Sequence, residues 1–241
     1  MRDALRRWWY QLFFYPTQIL TLIDEDYDAY WRVKRGAGKP SLNAWQKERA
    51  ELVTEVIKKD GLSNPVIADI GCGDGALLAA VLVAVPGARG VGYDSSEVAR
   101  DLATDAGIHE TKFLDLRTDP ELAGVESADY ILLLETLEHV TESEKVLAVA
   151  MKKARRGVFI SFPNTGFFTY RLRLLFGKFP AQWIRMPNEH VRFWTLRDLR
   201  WWLHAQGYRD ARVVTYQGFP GLGRVWPALF AGGLFVSISH V

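Results

Sequence analysis

The feature that most constrains this chain is a buried strand followed at once by a loop of glycines, VIADIGCGDG at residues 66–75. The run 66–70 is apolar apart from Asp69, and Gly71, Gly73 and Gly75 alternate after it. Such a run is typical of a strand with both faces covered. Glycines directly after it allow positive φ angles and let a ligand approach the backbone. The stretch predicts the first strand–loop–helix unit of an α/β domain, with either a ligand or only a tight turn at the loop.

Short apolar strands alternate with helices along the rest of the chain. We expect strands at 66–70, 88–94, 111–116, 128–136, 157–163, 211–217 and 229–239, and helices at 41–61, 75–87, 94–107, 142–154 and 195–207. This alternation predicts a doubly wound, mostly parallel sheet with helices on both faces. The last two strands have no helix pattern between them, so we expect them to be antiparallel neighbours.

The spacing of side chains at three predicted helix starts indicates how those helices are capped. Asp94 with Glu97 and Thr141 with Glu144 have the spacing of a capping box, and Thr195 with Asp198 opens the last helix.

Two carboxylates narrow the identity of the ligand. Gly71, Gly73 and Ala76 also satisfy the G-x-G-x-x-[GA] spacing of a dinucleotide loop, so the glycines alone do not exclude NAD. Asp94 ends the second predicted strand, where a carboxylate can accept ribose hydroxyls in either case. Asp69 would repel a pyrophosphate but suits an ammonium or sulfonium group. This favours S-adenosylmethionine, with an NAD-dependent oxidoreductase as the competing interpretation.

Several motifs in fixed order resemble the signatures of class I S-adenosylmethionine-dependent methyltransferases: ADIGCGDG, GYD, FLDL and ADYILLLETLEHV, within about residues 61–217. The resemblance implies a seven-stranded, Rossmann-like methyltransferase sheet with an antiparallel last strand, and S-adenosyl-L-methionine as cofactor. It also implies the cofactor-binding residues: Asp69, Gly71, Cys72, Gly73 and Gly75 around the methionine part, Asp94 and Ser95 at the ribose, Asp115 and Leu116 by the adenine, and Leu134 and Glu135 near the sulfonium.

Motifs further along the chain resemble a narrower group. SFPNTGFFTYRLRLLFGKFP at 161–180, PNEH at 187–190 and TLRDL at 195–199 are similar to motifs of the MetW proteins of methionine biosynthesis, in the methyltransferase type 11 group. Two functions follow. One is methyl transfer to an oxygen or nitrogen of a small or lipid-linked acceptor. The other is a MetW-like regulatory role, in which the cofactor fold binds a homoserine acyltransferase as its partner.

Methyl transfer requires an acceptor placed in line with the sulfonium methyl and, where the acceptor carries a proton, a base to remove it. The candidates are Glu138 and His139, after the fourth predicted strand, and His190. A structural hydrogen bond or a surface position is the plain alternative for each histidine. The five histidines are scattered and none forms an HxxxH pair, so we expect no metal site.

Cysteine count and hydropathy indicate the compartment. Cys72 is the only cysteine, which excludes an internal disulfide and suits a reducing compartment. No run of about 18 uninterrupted apolar residues occurs. The first residues also lack the apolar region and cleavage site of a signal peptide. The sequence predicts a cytoplasmic protein.

Basic and aromatic residues concentrate in two segments. Residues 165–202 hold seven lysines and arginines against two acidic residues, along with ten aromatic side chains, and residues 1–15 repeat this mixture. We expect residues 1–60 to form an N-terminal helical extension that caps the methyltransferase domain at 61–241, with a lid insertion at about 165–190.

One hypothesis is that residues 1–15 and 167–186 meet over the mouth of the site and select an anionic, partly apolar acceptor. The alternatives are a peripheral membrane contact and a plain helix packed by its aromatics. The net charge of +2, with no recognised nucleic-acid-binding module, argues against nucleic acid.

Overall fold

The computed structural model describes residues 27–36, 38, 40–179 and 190–240, together with Trp9. In chain order, the elements are α1 (Tyr27–Arg35), α2 (Ala44–Asp60), β1 (Val66–Ile70), α3 (Ala76–Ala84), β2 (Arg89–Asp94), α4 (Glu97–Asp105), β3 (Glu110–Phe113), β4 (Ala128–Leu134), a 3₁₀ turn (Leu137–His139), α5 (Ser143–Lys153), β5 (Ala154–Pro163), α6 (Phe168–Leu175), α7 (Leu196–Ala205), β6 (Arg212–Gly218), α8 (Leu222–Val225), α9 (Pro227–Phe230) and β7 (Ala231–Ser239).

The sheet has seven strands in the order β3-β2-β1-β4-β5-β7-β6. Strands β1 to β5 are parallel to one another, and β7 is antiparallel to both β5 and β6. The doubly wound, mostly parallel sheet with an antiparallel last strand is therefore confirmed. Strand order reverses between β1 and β4, and the carboxyl ends of β1, β2 and β4 meet at one edge. Ligands of open α/β sheets bind at such a point.

Two hydrophobic clusters cover the two faces of the sheet. Alternate residues of β4 serve opposite faces, as the period of a strand requires: Tyr130 and Leu132 contribute to one cluster, Ile131 and Leu133 to the other. Helices α2 and α3 pack on the first face, and α5 and α7 on the second. The sequence prediction of helices on both faces is confirmed.

Two of the predicted capping boxes are wrong, because the side chains concerned have other partners. Ser96, rather than Asp94, caps α4 by accepting a hydrogen bond from Ala99 N–H at 3.0 Å. Helix α5 begins after Glu142 without a side-chain cap. The Glu144 carboxylate instead pairs with Arg192 and accepts Trp202 Nε1–H at 2.7 Å. The capping box at Thr195 is present.

The chain between the last two strands also differs from expectation. Two short helices, α8 and α9, occupy residues that the hydropathy pattern left to a loop and to the start of β7. Pro227 starts α9, and its fixed φ suits the first turn of a helix. β7 therefore begins at Ala231 rather than at residue 229. No helix among the described residues has the length and apolar character needed to cross a bilayer.

Candidate active site

The glycine loop is bound to the end of β2 by backbone hydrogen bonds. Gly71 N–H and Cys72 N–H both donate to the Tyr93 carbonyl, at 2.8 and 3.0 Å. Gly73 N–H donates to the Asp94 carboxylate at 2.8 Å. Gly71, Gly73 and Gly75 have φ angles of +77°, +55° and +68°, a region that side chains rarely adopt. The loop therefore presents backbone at the sheet edge and leads directly into α3, whose N-cap has no side-chain hydrogen bond.

A cleft of about 480 Å³ opens over this loop. The predicted site residues that line it are Asp69, Gly71, Cys72, Gly73, Asp94, Ser95, Asp115, Leu116, Leu134, Glu135, Glu138, His139 and His190. Only Gly75, of the predicted set, lies outside the lining. A Cβ at Gly75 would come within 2.8 Å of the Ala103 backbone, so this glycine lets α3 approach α4. One cleft thus joins the predicted cofactor residues to the predicted bases.

Two carboxylates line the cleft beside the glycine loop, the buried Asp69 and the half-buried Asp94. Burial, followed by the negative charge of Asp94, raises the pKa of the Asp69 carboxyl to about 7, and the nearby Arg49 opposes that rise. Burial also raises the pKa of Asp94, although Ser96 N–H and Gly73 N–H donate to its carboxylate. The floor of the cleft therefore favours a positively charged ligand.

The environment of Cys72 makes its thiol unreactive. Cys72 is buried, and a Cβ on Gly92 would lie 2.8 Å from its Sγ, so a small residue fits between loop and sheet. Burial, with the charges of Asp69 and Asp94, raises the pKa of the thiol well above its usual range. Cys72 therefore fills space in the loop and is not placed to act as a nucleophile.

Helix α1 covers the glycine loop, and its residues were missed as site residues. Trp31 is buried, and a Cβ on Gly73 would lie 2.5 Å from its ring. Arg35 forms an ion pair with the buried Asp74 of the loop. Asp28 accepts a hydrogen bond from Ser96 Oγ at 2.5 Å. The aromatic residues of 27–31 and the second acid of the glycine motif, Asp74, were visible in the sequence, but no local pattern showed that they would contact each other.

Arg49 of α2 is a second residue that the sequence did not indicate. Its Nη1 lies 3.0 Å from Glu135 Oε1 and donates to Tyr216 Oη at 3.2 Å. Ser161 Oγ donates to the same Glu135 oxygen at 3.0 Å. Glu135 follows β4 with φ of +55°, a strained conformation for a residue with a side chain. The network fixes the carboxylate at the end of β4, facing the cleft.

The two residues predicted to flank the adenine, Asp115 and Leu116, also line the cleft. Asp115 and Leu116 follow β3, and the guanidinium of Arg117 holds the pKa of the Asp115 carboxyl below its usual range. The Arg117 side chain donates to both Asp115 oxygens, at 2.8 to 3.2 Å.

The three predicted bases come together in the lining of the same cleft. The His139 and His190 rings meet edge to face with centroids 4.7 Å apart, and Glu138 is buried beside them. Burial, then the neighbouring His139, lowers the pKa of His190 to about 3. The ligand-capable atoms of the three side chains lie within 4.8 Å of one another.

The sequence has no metal-site spacing motif, yet the fold brings these three ligand-capable side chains together. Because residues 138 and 139 are far in sequence from His190, no spacing motif predicts that the three side chains lie together. Val191 N–H and Arg192 N–H both donate to the Glu138 carbonyl, at 2.9 and 3.1 Å, and this returns the chain to the end of β4.

The predicted lid lies only partly within the described residues, since 1–8, 10–15 and 180–189 fall outside them. Helix α6 packs beside the end of β4: burial, and then the charge of Glu135, raise the pKa of Tyr170. Arg173, counted above among the basic residues of the lid, is buried and donates Nε–H to the Phe179 carbonyl at 2.9 Å. Its guanidinium is therefore not at the surface.

The residues at the glycine loop fit S-adenosylmethionine. A buried carboxylate, Asp69, lines the cleft, and among the described residues none donates a hydrogen bond to its oxygens. Its raised pKa shows that burial and Asp94 disfavour the ionised carboxylate more than Arg49 favours it. S-Adenosylmethionine brings two cationic groups, a sulfonium and an ammonium, and would lower that pKa.

A family model described as a methyltransferase domain matches residues 43–213. The chain belongs to this family, and the fold and cleft place it among the class I S-adenosylmethionine-dependent methyltransferases, whose cofactor is S-adenosylmethionine. Among proteins of curated function, none matches the sequence significantly.

Solved structures share the fold at low identity. Magnesium protoporphyrin IX methyltransferase from Synechocystis, with bound S-adenosylhomocysteine, superposes with a TM-score of 0.63 at 19% identity, over 92% of this chain and 100% of that one. An O-methyltransferase family 2 protein from Planctomyces limnophilus, in complex with apigenin, gives 0.50 at 22% identity, over 81% and 64%. The small RNA methyltransferase HEN1 gives 0.58 at 20% identity, over 83% and 27%. The three proteins are named for different kinds of methyl acceptor, so the similarity is evidence for the fold alone.

Proposed function

We propose that this chain transfers a methyl group from S-adenosylmethionine to an oxygen or nitrogen of a small or lipid-linked acceptor. The observation that carries the proposal is the single cleft, which runs from the glycine loop to the cluster of Glu138, His139 and His190. A cofactor at one end and proton-accepting side chains at the other is the arrangement that methyl transfer to a protonated acceptor needs.

In this proposal the glycine loop, Asp69 and Asp94 hold the cofactor. Asp69 faces its cationic part, and Asp94 with Ser95 the ribose. Asp115 and Leu116 flank the adenine, and Leu134 and Glu135 lie by the sulfonium. Gly71, Gly73 and Cys72 keep the backbone close to the ligand, and Gly75 seats α3. Bound S-adenosylmethionine supplies the activated methyl group and its own leaving group.

The acceptor end divides the work between two histidines. The pKa of His190, lowered to about 3 by burial and by His139, keeps its ring neutral and makes it a weak proton acceptor. His139, at the end of the 3₁₀ turn, is therefore the proposed base, and His190 orients it through their edge-to-face contact. Positioning of the acceptor against the methyl group can lower the barrier by about 7–11 kcal/mol.

An exposed apolar surface supports a membrane-associated acceptor. Helix α6 meets the α8–α9 segment through Phe168, whose ring lies 6.4 Å from Phe219 and 5.8 Å from Phe230. The exposed large apolar side chains of this surface are Leu174, Leu175, Phe176, Phe179, Leu222, Val225 and Trp226.

The charge of that surface indicates what kind of partner it would bind. Residues 165–179 and 219–230 contain no aspartate or glutamate, but they contain Arg171, Lys178 and Arg224. A surface that combines exposed apolar side chains with basic side chains is suited to binding an anionic membrane. We therefore propose a peripheral contact with an anionic membrane, with the acceptor reaching the cleft from that side. Residues 1–60 act as the N-terminal cap and about 165–190 as the lid of the domain at 61–241.

The second candidate function is a MetW-like regulatory subunit of a homoserine acyltransferase, acting in the cytoplasm. The motifs SFPN, in β5 and the turn after it, and PNEH, at His190, support it. The apolar surface of α6 and α8 would then bind the acyltransferase instead of a membrane.

Labelled methyl transfer tests the proposal. The full chain is incubated with methyl-labelled S-adenosylmethionine and either a cell lipid extract in phosphatidylglycerol vesicles or the aqueous small-molecule fraction. Label in an extractable product, lost in His139→Ala and kept in His204→Ala, supports methyl transfer. Cofactor binding without labelled product in either fraction, with an acyltransferase retained on the immobilised chain, would favour the regulatory function.

The membrane contact has its own control. Leu175→Glu and Val225→Glu should release the chain from phosphatidylglycerol vesicles in a sedimentation assay. Val83→Glu should not, because Val83 is equally exposed, at 86%, but lies on α3. Equal binding of all three variants would refute the contact.

A further inference from the structure

The strongest feature that methyl transfer does not require is the convergence of three metal-ligating side chains. The carboxylate of Glu138 and the imidazole nitrogens of His139 and His190 lie within 4.8 Å of one another, and all three residues line the cleft. A general base needs one such group. Three of them, two of which are imidazoles, exceed what proton removal uses.

We propose that Glu138, His139 and His190 bind one divalent transition-metal ion at the acceptor end of the cleft. Two imidazoles and one carboxylate form the ligand set of catalytic zinc sites and of non-haem iron sites, in which positions on the metal stay open for water or substrate. Oxygen-only ions such as Mg²⁺ or Ca²⁺ prefer carboxylates and carbonyls, and this set contains two nitrogens.

The fold holds the three ligands on a braced frame. The 3₁₀ turn Leu137–His139 carries two of them, and Ser143 Oγ donates to the Leu137 carbonyl at 2.9 Å at its base. The third ligand precedes a segment held by the two hydrogen bonds from Val191 and Arg192 to the Glu138 carbonyl. Arg192 Nη1 donates to the Thr141 carbonyl at 3.1 Å and thereby ties that segment to the loop before α5.

The three ligand atoms are slightly farther apart than ligand atoms bound to one metal ion, so binding would draw their side chains together. Ligand atoms around one zinc ion, at ~2.0–2.2 Å from it, lie roughly 3–3.5 Å apart. The three ligand atoms here lie within 4.8 Å, so the side chains would move inward by about 1 Å. Backbone rearrangement is not required for a movement of this size.

The role of the ion rests on the proposed function, whereas its binding does not. A metal at this end of the cleft would act as a Lewis acid toward an acceptor hydroxyl and lower its pKa, which prepares the oxygen for attack on the methyl group. In the metal-bound chain the imidazoles would serve as ligands, in place of the base role proposed above for His139, and the proton would leave the acceptor oxygen to solvent. Acceptors with a hydroxyl and a second oxygen nearby fit such a site best.

Metal binding is measured directly on the full chain without an affinity tag, after treatment with a chelator. Co²⁺ is titrated by calorimetry and by visible absorption, whose intensity reports the coordination number, and Zn²⁺ is titrated in competition. We expect one ion per chain. His139→Ala, His190→Ala and Glu138→Gln should each weaken binding at least tenfold.

His109→Ala and His204→Ala are the matched controls, because both imidazoles are exposed and lie outside the cleft lining. They should bind Co²⁺ as the unchanged chain does. Failure of the unchanged chain to bind Co²⁺ or Zn²⁺ below millimolar concentration would overturn the proposal. Loss in the controls equal to loss in the cluster variants would do the same.

Two further measurements keep the result interpretable. Circular dichroism checks the fold of each variant, and if Glu138→Gln does not fold, the two histidine variants decide. S-Adenosylhomocysteine binding is measured separately, with chelator present. Binding of S-adenosylhomocysteine without binding of metal would refute the metal site and leave the methyltransferase proposal standing. Binding of metal without binding of S-adenosylhomocysteine would refute the methyltransferase proposal and leave the metal site standing.

Discussion

Asp69 allows the most quantitative prediction. Its negative charge destabilises the folded chain without ligand, but it should favour binding of a cationic cofactor. The carboxyl is 4% exposed, and burial with the charge of Asp94 raises its pKa from 3.8 to about 7. We expect the unfolding free energy and the cofactor affinity to respond to pH in opposite directions. Asp69→Asn should remove both responses.

The magnitude follows from the pKa. In the unfolded chain the carboxyl ionises at its ordinary pKa, so from pH 4 to pH 7 the folded chain binds more protons than the unfolded one. Stability from this group therefore falls as pH rises through that window and is level above it. A pKa difference of this size corresponds to at most about 4 kcal/mol. Asp69→Asn should be more stable than the unchanged chain by up to that amount at pH 8, and equally stable at pH 4.

Ligand binding has the opposite sign. A cation stabilises the ionised carboxylate, so the affinity should weaken about tenfold for each pH unit below 7 and stay constant above it. Calorimetry from pH 5 to pH 8 measures this, with urea unfolding over the same range for the free chain. Asp94→Asn serves as the control for the neighbouring charge.

The choice of ligand adds resolution. S-Adenosylmethionine carries a sulfonium and an ammonium, and S-adenosylhomocysteine carries only the ammonium. A pH slope with both ligands assigns Asp69 to the ammonium, and a slope with S-adenosylmethionine alone assigns it to the sulfonium. A flat affinity profile for both ligands, or an Asp69→Asn variant with the pH profile of the unchanged chain, would refute the reasoning.

Three further predictions concern the same cleft. Asp94→Ala should weaken S-adenosylhomocysteine binding by about 1.5–3 kcal/mol in calorimetry, since a charge-assisted acceptor is lost, and an unchanged affinity would exclude the ribose assignment. Gly73→Ala should lower cofactor affinity and the melting temperature, because its Cβ would lie 2.5 Å from the Trp31 ring at a φ of +55°, and normal values for both would contradict the packing. Arg49→Met should lower the free energy of unfolding in urea by about 1–3 kcal/mol, less than a fully buried pair because the Glu135 side chain is 25% exposed, and a loss below about 0.5 kcal/mol would show that the pair is not structural.

The sequence predicts most of the sheet because hydrophobic runs and glycine turns are local signals. β1, α2 and the start of α7 follow from an apolar run, a closing Gly61 and a Thr195–Asp198 capping box. The order of the last strands, with β7 between β5 and β6, does not follow from any local pattern. The absence of a helix pattern between the last two strands and the resemblance to known methyltransferases both predicted that these strands are antiparallel, but neither gave their order in the sheet.

Local patterns failed where a polar side chain had a distant partner. Glu144 has capping-box spacing but pairs with Arg192 and Trp202, which the chain brings near only after α6. Asp94 likewise accepts Gly73 N–H instead of capping α4. At such positions a tertiary hydrogen bond replaced the local one that the spacing predicted.

The candidate site divides in the same way. The glycine loop, Asp69 and Asp94 form around adjacent strand ends, so a motif read along the chain indicates them. Arg49 and Trp31 come from helices before β1, and their contacts with Glu135 and Gly73 depend on how those helices pack. The grouping of His190 with Glu138 and His139 depends on hydrogen bonds between segments about 50 residues apart. No single-sequence pattern carries that information.

Calorimetry of the full chain with S-adenosylmethionine, S-adenosylhomocysteine and NAD in parallel tests the central claim most directly. The account predicts one binding site for each of the first two ligands and no heat from NAD. It also predicts that S-adenosylhomocysteine displaces S-adenosylmethionine and that binding weakens in Asp94→Ala. Tight NAD binding without any response to S-adenosylhomocysteine would contradict the account.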